Sequence, residues 1–294
     1  MRMRLTEQSS ESRLERLFSR ISEVSSLPSV ALQIIELAND PKTGADDLLE
    51  AVRSDPALAM RLMRTVNSSY YALDEKVSDL KQAIMLLGFN EVRNLALTAY
   101  MAQLFKDTAG HGPYTRRGLW NHMVGSGMVA RLLAQTCDAI PPQEAYLAGL
   151  LHDVGLILID QYLHEPFCRV LDALTPDTPL VEVETRILGF DHARLGRFVA
   201  EKWNLPEHLT EAIGCHHDPK NSSPRHRETV YIVTLANFFC HLKQLPALGM
   251  RNTQVPPTEH FNTLGLEKQQ VWLILEQLDE VLNSADLMAF VQVR

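Results

Sequence analysis

Apolar residues along most of the chain recur every three or four positions, which is the spacing of one face of an α-helix. Short polar turns, often with proline or glycine, separate these stretches. Asp55-Pro56, for example, is an N-cap residue followed by proline at the first helical position, and Leu58, Leu62 and Val66 then form one apolar face. No stretch shows a convincing strand pattern. The sequence therefore predicts an all-α fold with no significant β-sheet.

The positions of these stretches divide the chain into four predicted parts. A polar N-terminal arm with one short helix covers residues 1–26, a bundle of five helices covers residues 27–105, a second helical subdomain covers residues 116–245, and a loop with a C-terminal helix covers residues 246–294. Connections within the bundle are short, as in compact helical proteins. We expect the two helical parts to pack against each other, because the segment between them is not a free linker.

The most apolar stretch is Ala145–Ile159, which has no polar face. A helix that is hydrophobic all round is usually buried on every side, and this one is too short to be a membrane span. His152 and Asp153 lie adjacent in its middle, and an isolated ionised carboxylate in an apolar interior is very costly. We therefore expect one central helix with a buried His-Asp pair that is met by a partner group or a metal ion.

The charge balance excludes one class of function. The net charge is −8, without any run of like charges, which argues against a non-specific nucleic-acid binder. The charged N-terminus has no apolar run typical of a secretory signal, no membrane span is evident, and none of the four cysteines forms a CxxC pair. From these features we expect a cytoplasmic protein with reduced thiols.

Histidines on or near the predicted helices are the candidate functional residues. A cluster of imidazoles with one carboxylate is ligand chemistry for zinc, iron or manganese, and two metal ions can share a bridging Asp. The residues alone leave simpler interpretations open, because His152-Asp153 also fits an internal hydrogen bond, His122 a core histidine, and His216-His217 an interaction with a helix dipole. The other histidines form no pattern, and we expect them to be surface or incidental residues: His164, His208, His226, His241 and His260.

Several motifs occur in the order found in a known family. LHDVG follows a helix that carries His122 and precedes GFDHARLG and NLPEHLTEAIGCHHDP, which span Gly189–Gly196 and Asn204–Pro219. Over roughly residues 20–245 the chain resembles the HDOD family, a relative of the HD superfamily of metal-dependent phosphohydrolases. In the N-terminal half the matching motifs are Leu27-Pro28, Asn39-Asp40-Pro41, Asp55-Pro56-Ala57-Leu58, Asn67-Ser68-Ser69-Tyr70, Leu87-Gly88 and Arg93-Asn94.

The resemblance implies a two-part all-α domain: an N-terminal bundle packed on an HD-like helical subdomain, as in bacterial signalling and regulatory proteins usually regarded as non-enzymatic. Three features of the related HD-GYP phosphodiesterases are absent. Leu156 stands where those enzymes have a phosphate-contacting lysine, Asn237 stands where an aspartate ligand would fall, and no GYP segment follows the double histidine. The ligand set that the resemblance implies is otherwise present: His122, His152, Asp153, His192, His216 and His217.

We therefore expect a signal-transduction module that binds a signalling protein partner or a small effector, with a residual divalent transition metal and without turnover. The alternative is a metal-dependent phosphohydrolase acting on a nucleotide or cyclic dinucleotide, in which Lys220, Arg225 or Arg227 neutralises the phosphate. A nucleotide-binding sensor without turnover is a third hypothesis. The sequence does not indicate an oligomeric state.

Overall fold

The structure is a computed structural model that describes residues 14–21, 23, 27–67, 75–105, 110–249 and 255–283. The all-α prediction is confirmed, because helices account for nearly all its regular structure. The helices are α1 (residues 14–21), α2 (Ser29–Asn39), α3 (Ala45–Arg53), α4 (Pro56–Val66), α5 (Leu80–Leu87), α6 (Phe89–Met101), α7 (Arg116–Cys137), α8 (Pro142–Leu151), α9 (Val154–Tyr162), α10 (His164–Ala173), α11 (Leu180–Leu188), α12 (His192–Lys202), α13 (Glu207–Cys215), α14 (Arg227–Leu242), α15 (Thr258–Thr263) and α16 (Lys268–Asn283). Single 3-10 turns occupy Ala102–Phe105 and Pro219–Asn221.

A two-residue hairpin lies in the segment predicted as a connecting loop. β1 (Gly110–His111) pairs antiparallel with β2 (Tyr114–Thr115), with Gly110 opposite Thr115. Most of the predicted N-terminal arm and the last residues of the C-terminal segment lie outside the described residues. Within the described ranges, no helix combines the length and the apolar character that a membrane crossing requires.

Side chains cap the helices where the sequence places capping residues. Asp55 Oδ1 accepts hydrogen bonds from the backbone N–H groups of Ala57 and Leu58 at 2.9 and 3.1 Å, at the start of α4. Asp191 Oδ1 accepts from the N–H of Arg194 at 2.7 Å, at the start of α12. These bonds satisfy N–H groups that have no partner within the helix. The second cap fixes where α12 begins, and therefore where His192 lies.

One hydrophobic core runs through both halves of the chain. It contains Ile34 and Leu97 from the N-terminal bundle together with Leu147, Leu158 and Phe167 from the second half. Helix α6 packs on α8 at this junction. The bundle is thus joined to the rest of the molecule by shared buried side chains, and α7 and α8 lie at the centre of the fold.

The predicted single helix over Ala145–Ile159 is wrong in one respect, because α8 ends at Leu151 and α9 begins at Val154. Asp153 has φ −99° and ψ 15°, which interrupts the helical hydrogen-bond ladder. Helix α9 then crosses α12 so closely that a Cβ on Gly155 would lie 1.9 Å from the carbonyl oxygen of His192. The predicted burial is confirmed, since His152 and Asp153 are 0% and 3% exposed.

Candidate metal centre

Six side chains converge at the turn between α8 and α9. His122 comes from the middle of α7, His192 from the first residue of α12, and His216-His217 follow the end of α13. All but His217 are buried, and they form two groups of potential metal ligands around Asp153. The structure therefore brings together every residue of the predicted ligand set, whose role as metal ligands stays a prediction.

The Asp153 carboxylate lies between the two groups. Its Oδ2 is 3.4 Å from His122 Nε2 and 3.3 Å from His152 Nε2. Its Oδ1 is 3.4 Å from the Nε2 atoms of both His192 and His216. His217 adds a further nitrogen to the second group, with its Nε2 3.0 Å from that of His192. One carboxylate is therefore shared by two sets of imidazoles.

The outer ring nitrogens determine which tautomer each histidine adopts. His122 Nδ1 lies 2.7 Å from the carbonyl oxygen of Leu245, His152 Nδ1 lies 2.7 Å from that of Gly149, and His216 Nδ1 lies 2.9 Å from that of Ile213. A carbonyl oxygen only accepts, so each Nδ1 must carry the proton, and a neutral imidazole has no second proton for Nε2. These three Nε2 atoms therefore present bare lone pairs to the Asp153 carboxylate.

For His192, the group that accepts the Nδ1 hydrogen bond is a carboxylate on α11. Glu184 is buried, and its Oε2 accepts hydrogen bonds from His192 Nδ1 at 2.7 Å and from the His192 backbone N–H at 3.1 Å. A carboxylate behind a ligating histidine fixes the ring and makes its other nitrogen more basic. Glu184 was not predicted from the sequence, because nothing in its local pattern distinguishes it from a surface glutamate in the middle of a helix.

This donor set fits a metal ion. Nitrogen ligands about 2.1 Å from a tetrahedral ion lie about 3.4 Å from one another, and the Nε2 pairs of His122–His152 and His192–His216 are 3.4 and 3.3 Å apart. Asp153 Oδ1 is buried and has no hydrogen-bond partner among the described residues. The Nε2 lone pairs of His122 and His152 face one another and the Asp153 carboxylate, and at these distances they repel unless a cation lies between them. Imidazole and carboxylate ligands suit zinc, iron and manganese.

The protonation states also suit a cation. Burial lowers the pKa of His216 to about 4. Burial alone would also lower the pKa of His192, but Glu184 and Asp153 outweigh it and raise that pKa well above its ordinary value. Binding of a cation at His192 Nε2 would therefore release a proton.

A cavity of about 440 Å³ opens over the Asp153–His216–His217 side of the cluster. This volume lies within the range of small-molecule sites. Asn237 lines it, and its Oδ1 is buried without a hydrogen-bond partner among the described residues. Leu156 instead lies fully buried in the main core and is not among the cavity residues.

The three cationic residues predicted to contact phosphate lie in different places. Lys220 lines the cavity, whereas Arg225 and Arg227 do not. The expectation that the remaining histidines are surface or incidental is wrong for His241 and His260. Both line the cavity and are no more than 9% exposed. His241 follows Asn237 by one helical turn on α14, a spacing that could have indicated it, whereas His260 carries no such signal.

Comparisons with known proteins agree with this geometry. The model of the HDOD domain matches residues 24–219. An HDOD domain protein of unknown function from Geobacter sulfurreducens is 25% identical, with a TM-score of 0.69, over 94% of this chain and 97% of that chain. A Marinobacter aquaeolei VT8 protein, provisionally named a signal transduction protein, is 25% identical with a TM-score of 0.77, over 98% of this chain and 66% of that chain.

Two other proteins add to the likeness. An uncharacterized protein of Treponema pallidum is 26% identical over 220 residues, which are 74% of this chain and 42% of that protein, so the chain spans less than half of this relative's length. A structure from Shewanella amazonensis SB2B, provisionally named a phosphohydrolase, has 20% identity and a TM-score of 0.65 over 94% of this chain and 96% of that chain, which shows the shared fold. Since the family model covers well over half of the sequence, the chain belongs to the HDOD family.

Proposed function

We propose that this protein is a metal-dependent regulatory module of bacterial signal transduction that binds a small anionic effector and does not turn it over. The observation that carries the proposal is the set of bare Nε2 lone pairs that face the Asp153 carboxylate. They offer ligands for a cation at the floor of a cavity of small-molecule size. A concave site of this volume favours a small effector over a protein partner as the ligand.

The charge of the donor set supports an anionic effector. Asp153 and the buried Glu184 behind His192 supply two negative charges, so two divalent cations, one in each ligand group, would leave a net positive charge in a buried place. An aspartate at position 237 would reduce this excess, but Asn237 carries no charge. A charge that is taken out of water needs a partner. An anion entering through the cavity would provide it.

Two residues argue against turnover. Leu156 gives α9 no cation toward a phosphate, and Asn237 removes a carboxylate that would help to hold and activate a metal-bound water. Among the described residues that line the cavity, Lys220 is the only lysine or arginine. The provisional name of the Marinobacter aquaeolei structure, a signal transduction protein, is consistent with a binding role.

Metal analysis of the purified protein tests the proposal. We expect about one equivalent or more of iron, manganese or zinc in the wild type, a loss in His152→Ala, and no loss in His226→Ala, whose ring faces Glu207 instead. Calorimetry should then show that methylphosphonate binds to the metal-loaded protein but not to the chelated protein. Less than about a tenth of an equivalent after reconstitution with each metal would contradict the metal site. Equal binding of the probe to chelated protein would contradict the effector role.

A phosphohydrolase is the second candidate, because Asp153 is shared by two ligand groups as in two-metal phosphoryl-transfer sites. Its test is hydrolysis of bis(p-nitrophenyl) phosphate by manganese- or iron-loaded protein. Turnover in the wild type that disappears in Asp153→Ala and persists in His226→Ala would establish this activity and rule out the purely binding role. Hydrolysis that is equal in all three proteins would come from a contaminant.

A further inference from the structure

The cavity above the metal centre has a second polar part, formed by Lys220 and His260. Both residues lie beyond residue 219, where the match to the HDOD model ends. They therefore lie in the part of the cavity wall that the HDOD match does not cover. His260 comes from α15, which begins directly after Pro256-Pro257, and these prolines line the same cavity.

His260 is held in place but has an unused polar group. Its ring stacks on Tyr231 with the ring centres 4.2 Å apart and an angle of 23° between the planes. The residue is 3% exposed, and its Nδ1 has no hydrogen-bond partner among the described residues. A buried polar atom that faces no partner is unfavourable unless water or a ligand satisfies it. The packing on Tyr231 fixes this ring beside a cavity that can admit such a group.

Lys220 supplies charge at the same wall. It is exposed and has no carboxylate within 4 Å among the described residues. Besides Asp153, two acidic residues line the cavity, but Asp218 Oδ2 accepts a hydrogen bond from Asn221 Nδ2 at 2.7 Å, and Glu182 is exposed. The ammonium of Lys220 is therefore available to a ligand.

Apolar side chains line the rest of the cavity. They come from α11, α14 and the segments before α15, and they include Leu180, Phe238, Leu248 and Pro257. Such surface favours the carbon skeleton of a small molecule over a hydrated inorganic ion. The cavity thus combines a cation site in its floor, an apolar wall and a second set of positive or hydrogen-bonding groups.

We propose that this cavity binds a small organic dianion, with one oxyanionic group at the metal centre and a second at Lys220 and His260. This inference rests on the proposed function, because the first group needs the metal. Lys220 and His260 would be specificity-determining residues, since a ligand with a single oxyanion leaves them without a partner. The shared chemistry is two separated oxyanions on one carbon skeleton.

Calorimetry with paired probes tests this directly. The metal-loaded full chain is titrated with α,ω-alkanebisphosphonates of three to six carbons and with the alkylmonophosphonates of equal length, and the metal content is measured after each titration. We expect at least one bisphosphonate to bind about tenfold tighter than its monophosphonate, as one charged hydrogen bond predicts. Lys220→Gln and His260→Phe should each reduce this advantage in the affinity of the bisphosphonate without weakening the binding of the monophosphonate. The second variant keeps the stacked ring.

Arg225→Gln is the matched control, because Arg225 is an exposed cation of the same loop that does not line the cavity, and it should leave the advantage intact. Equal affinity of the paired probes at every length would overturn the inference while leaving the metal-dependent site in place. Survival of the full advantage in both Lys220→Gln and His260→Phe would also overturn it. If neither class of probe binds the metal-loaded protein, the proposed function fails and this inference fails with it.

Discussion

Gly155→Ala tests whether the crossing of α9 and α12 holds the metal centre together. The added Cβ would lie 1.9 Å from the His192 carbonyl oxygen and 2.7 Å from its carbonyl carbon, and both atoms belong to the backbone. Side chains cannot relieve such a contact by rotating. Ordinary contact begins at 3.4 Å, so the two helices must separate by about 1.5 Å at this point.

The size of the effect follows from this displacement. Overpacking in a core costs about 1–3 kcal/mol, and occasionally more, whereas alanine in a helix gains up to about 1 kcal/mol over glycine. We expect Gly155→Ala to lower the free energy of unfolding of the chelated protein by about 2 kcal/mol. Metal binding is more sensitive to this displacement than stability is, because the distances from a metal ion to its ligands must hold within about 0.2 Å. A shift of about 1.5 Å at His192 should remove this ligand from the cluster.

Urea denaturation of the chelated protein and metal analysis of the reconstituted protein measure the two effects. The control is Gly196→Ala in the facing helix α12, whose Cβ would meet one side chain, Ile213 Cγ2, at 2.8 Å but would stay at an ordinary 3.4 Å from the backbone nitrogen of Gly155. We expect this control to retain its metal and to cost about 1 kcal/mol, because it strains a buried side chain without forcing the two backbones apart. If Gly155→Ala matches the control in stability and metal content, the close crossing does not position His192.

Three further changes have expected outcomes. Asp160→Asn should lower the free energy of unfolding in urea by about 3 kcal/mol, because it leaves the buried Arg116 without the carboxylate that now lies 2.6 Å from its Nε; a loss below about 1 kcal/mol would contradict this. Asp55→Ala should cost about 1 kcal/mol at pH 7 by removing a helix cap. Burial would raise the pKa of the Asp55 carboxyl, but hydrogen bonds from Tyr100 and from the backbone outweigh it and lower that pKa below 3.8. The stabilisation by the ionised cap is therefore present above pH 3.8 and is lost as the pH falls through the folded-state pKa. Urea curves of variant and wild type should therefore converge in acid, and a constant difference would exclude the linkage. Asn237→Asp should slow metal loss to a chelator and weaken phosphonate binding, because the added charge competes with the anion; stronger phosphonate binding would contradict the charge argument.

The helices could be predicted from the sequence because their faces are amphipathic and their caps are local. Asp55 and Asp191 cap the helices that follow them because the acceptor and the N–H groups lie within three residues. The break between α8 and α9 could not be predicted in this way. Its apolar surroundings continue on both sides, and the close approach of Gly155 to His192 beside it joins residues that are distant in the sequence.

For the candidate site too, local motifs could be predicted from the sequence and contacts between distant segments could not. Motif order indicates the six candidate ligands, but helical spacing could not show that four of the five imidazoles bring Nε2 within 3.4 Å of the Asp153 carboxylate. The groups that fix the rings were beyond prediction, because three of them are backbone carbonyls and the fourth is Glu184, on a helix that carries no ligand. The part of the cavity wall formed by Lys220 and His260 could not be predicted either. Stacking on Tyr231, a residue distant in the sequence, holds the His260 ring there.

The two residues that depart from the related phosphodiesterases occupy different surroundings. Asn237 lines the cavity, and a carboxylate of nearly the same shape fits its position. Leu156 is fully buried in the core, where a lysine would place an ammonium among apolar side chains at a cost of several kcal/mol. Asn237 changes the charge of the site, whereas Leu156 is part of the apolar core against which α9 packs. A single substitution at position 237 can therefore restore a ligand, but a phosphate-contacting cation on α9 would require the core around that helix to be rebuilt. This difference is the physical reason to expect an anion to bind here without being hydrolysed.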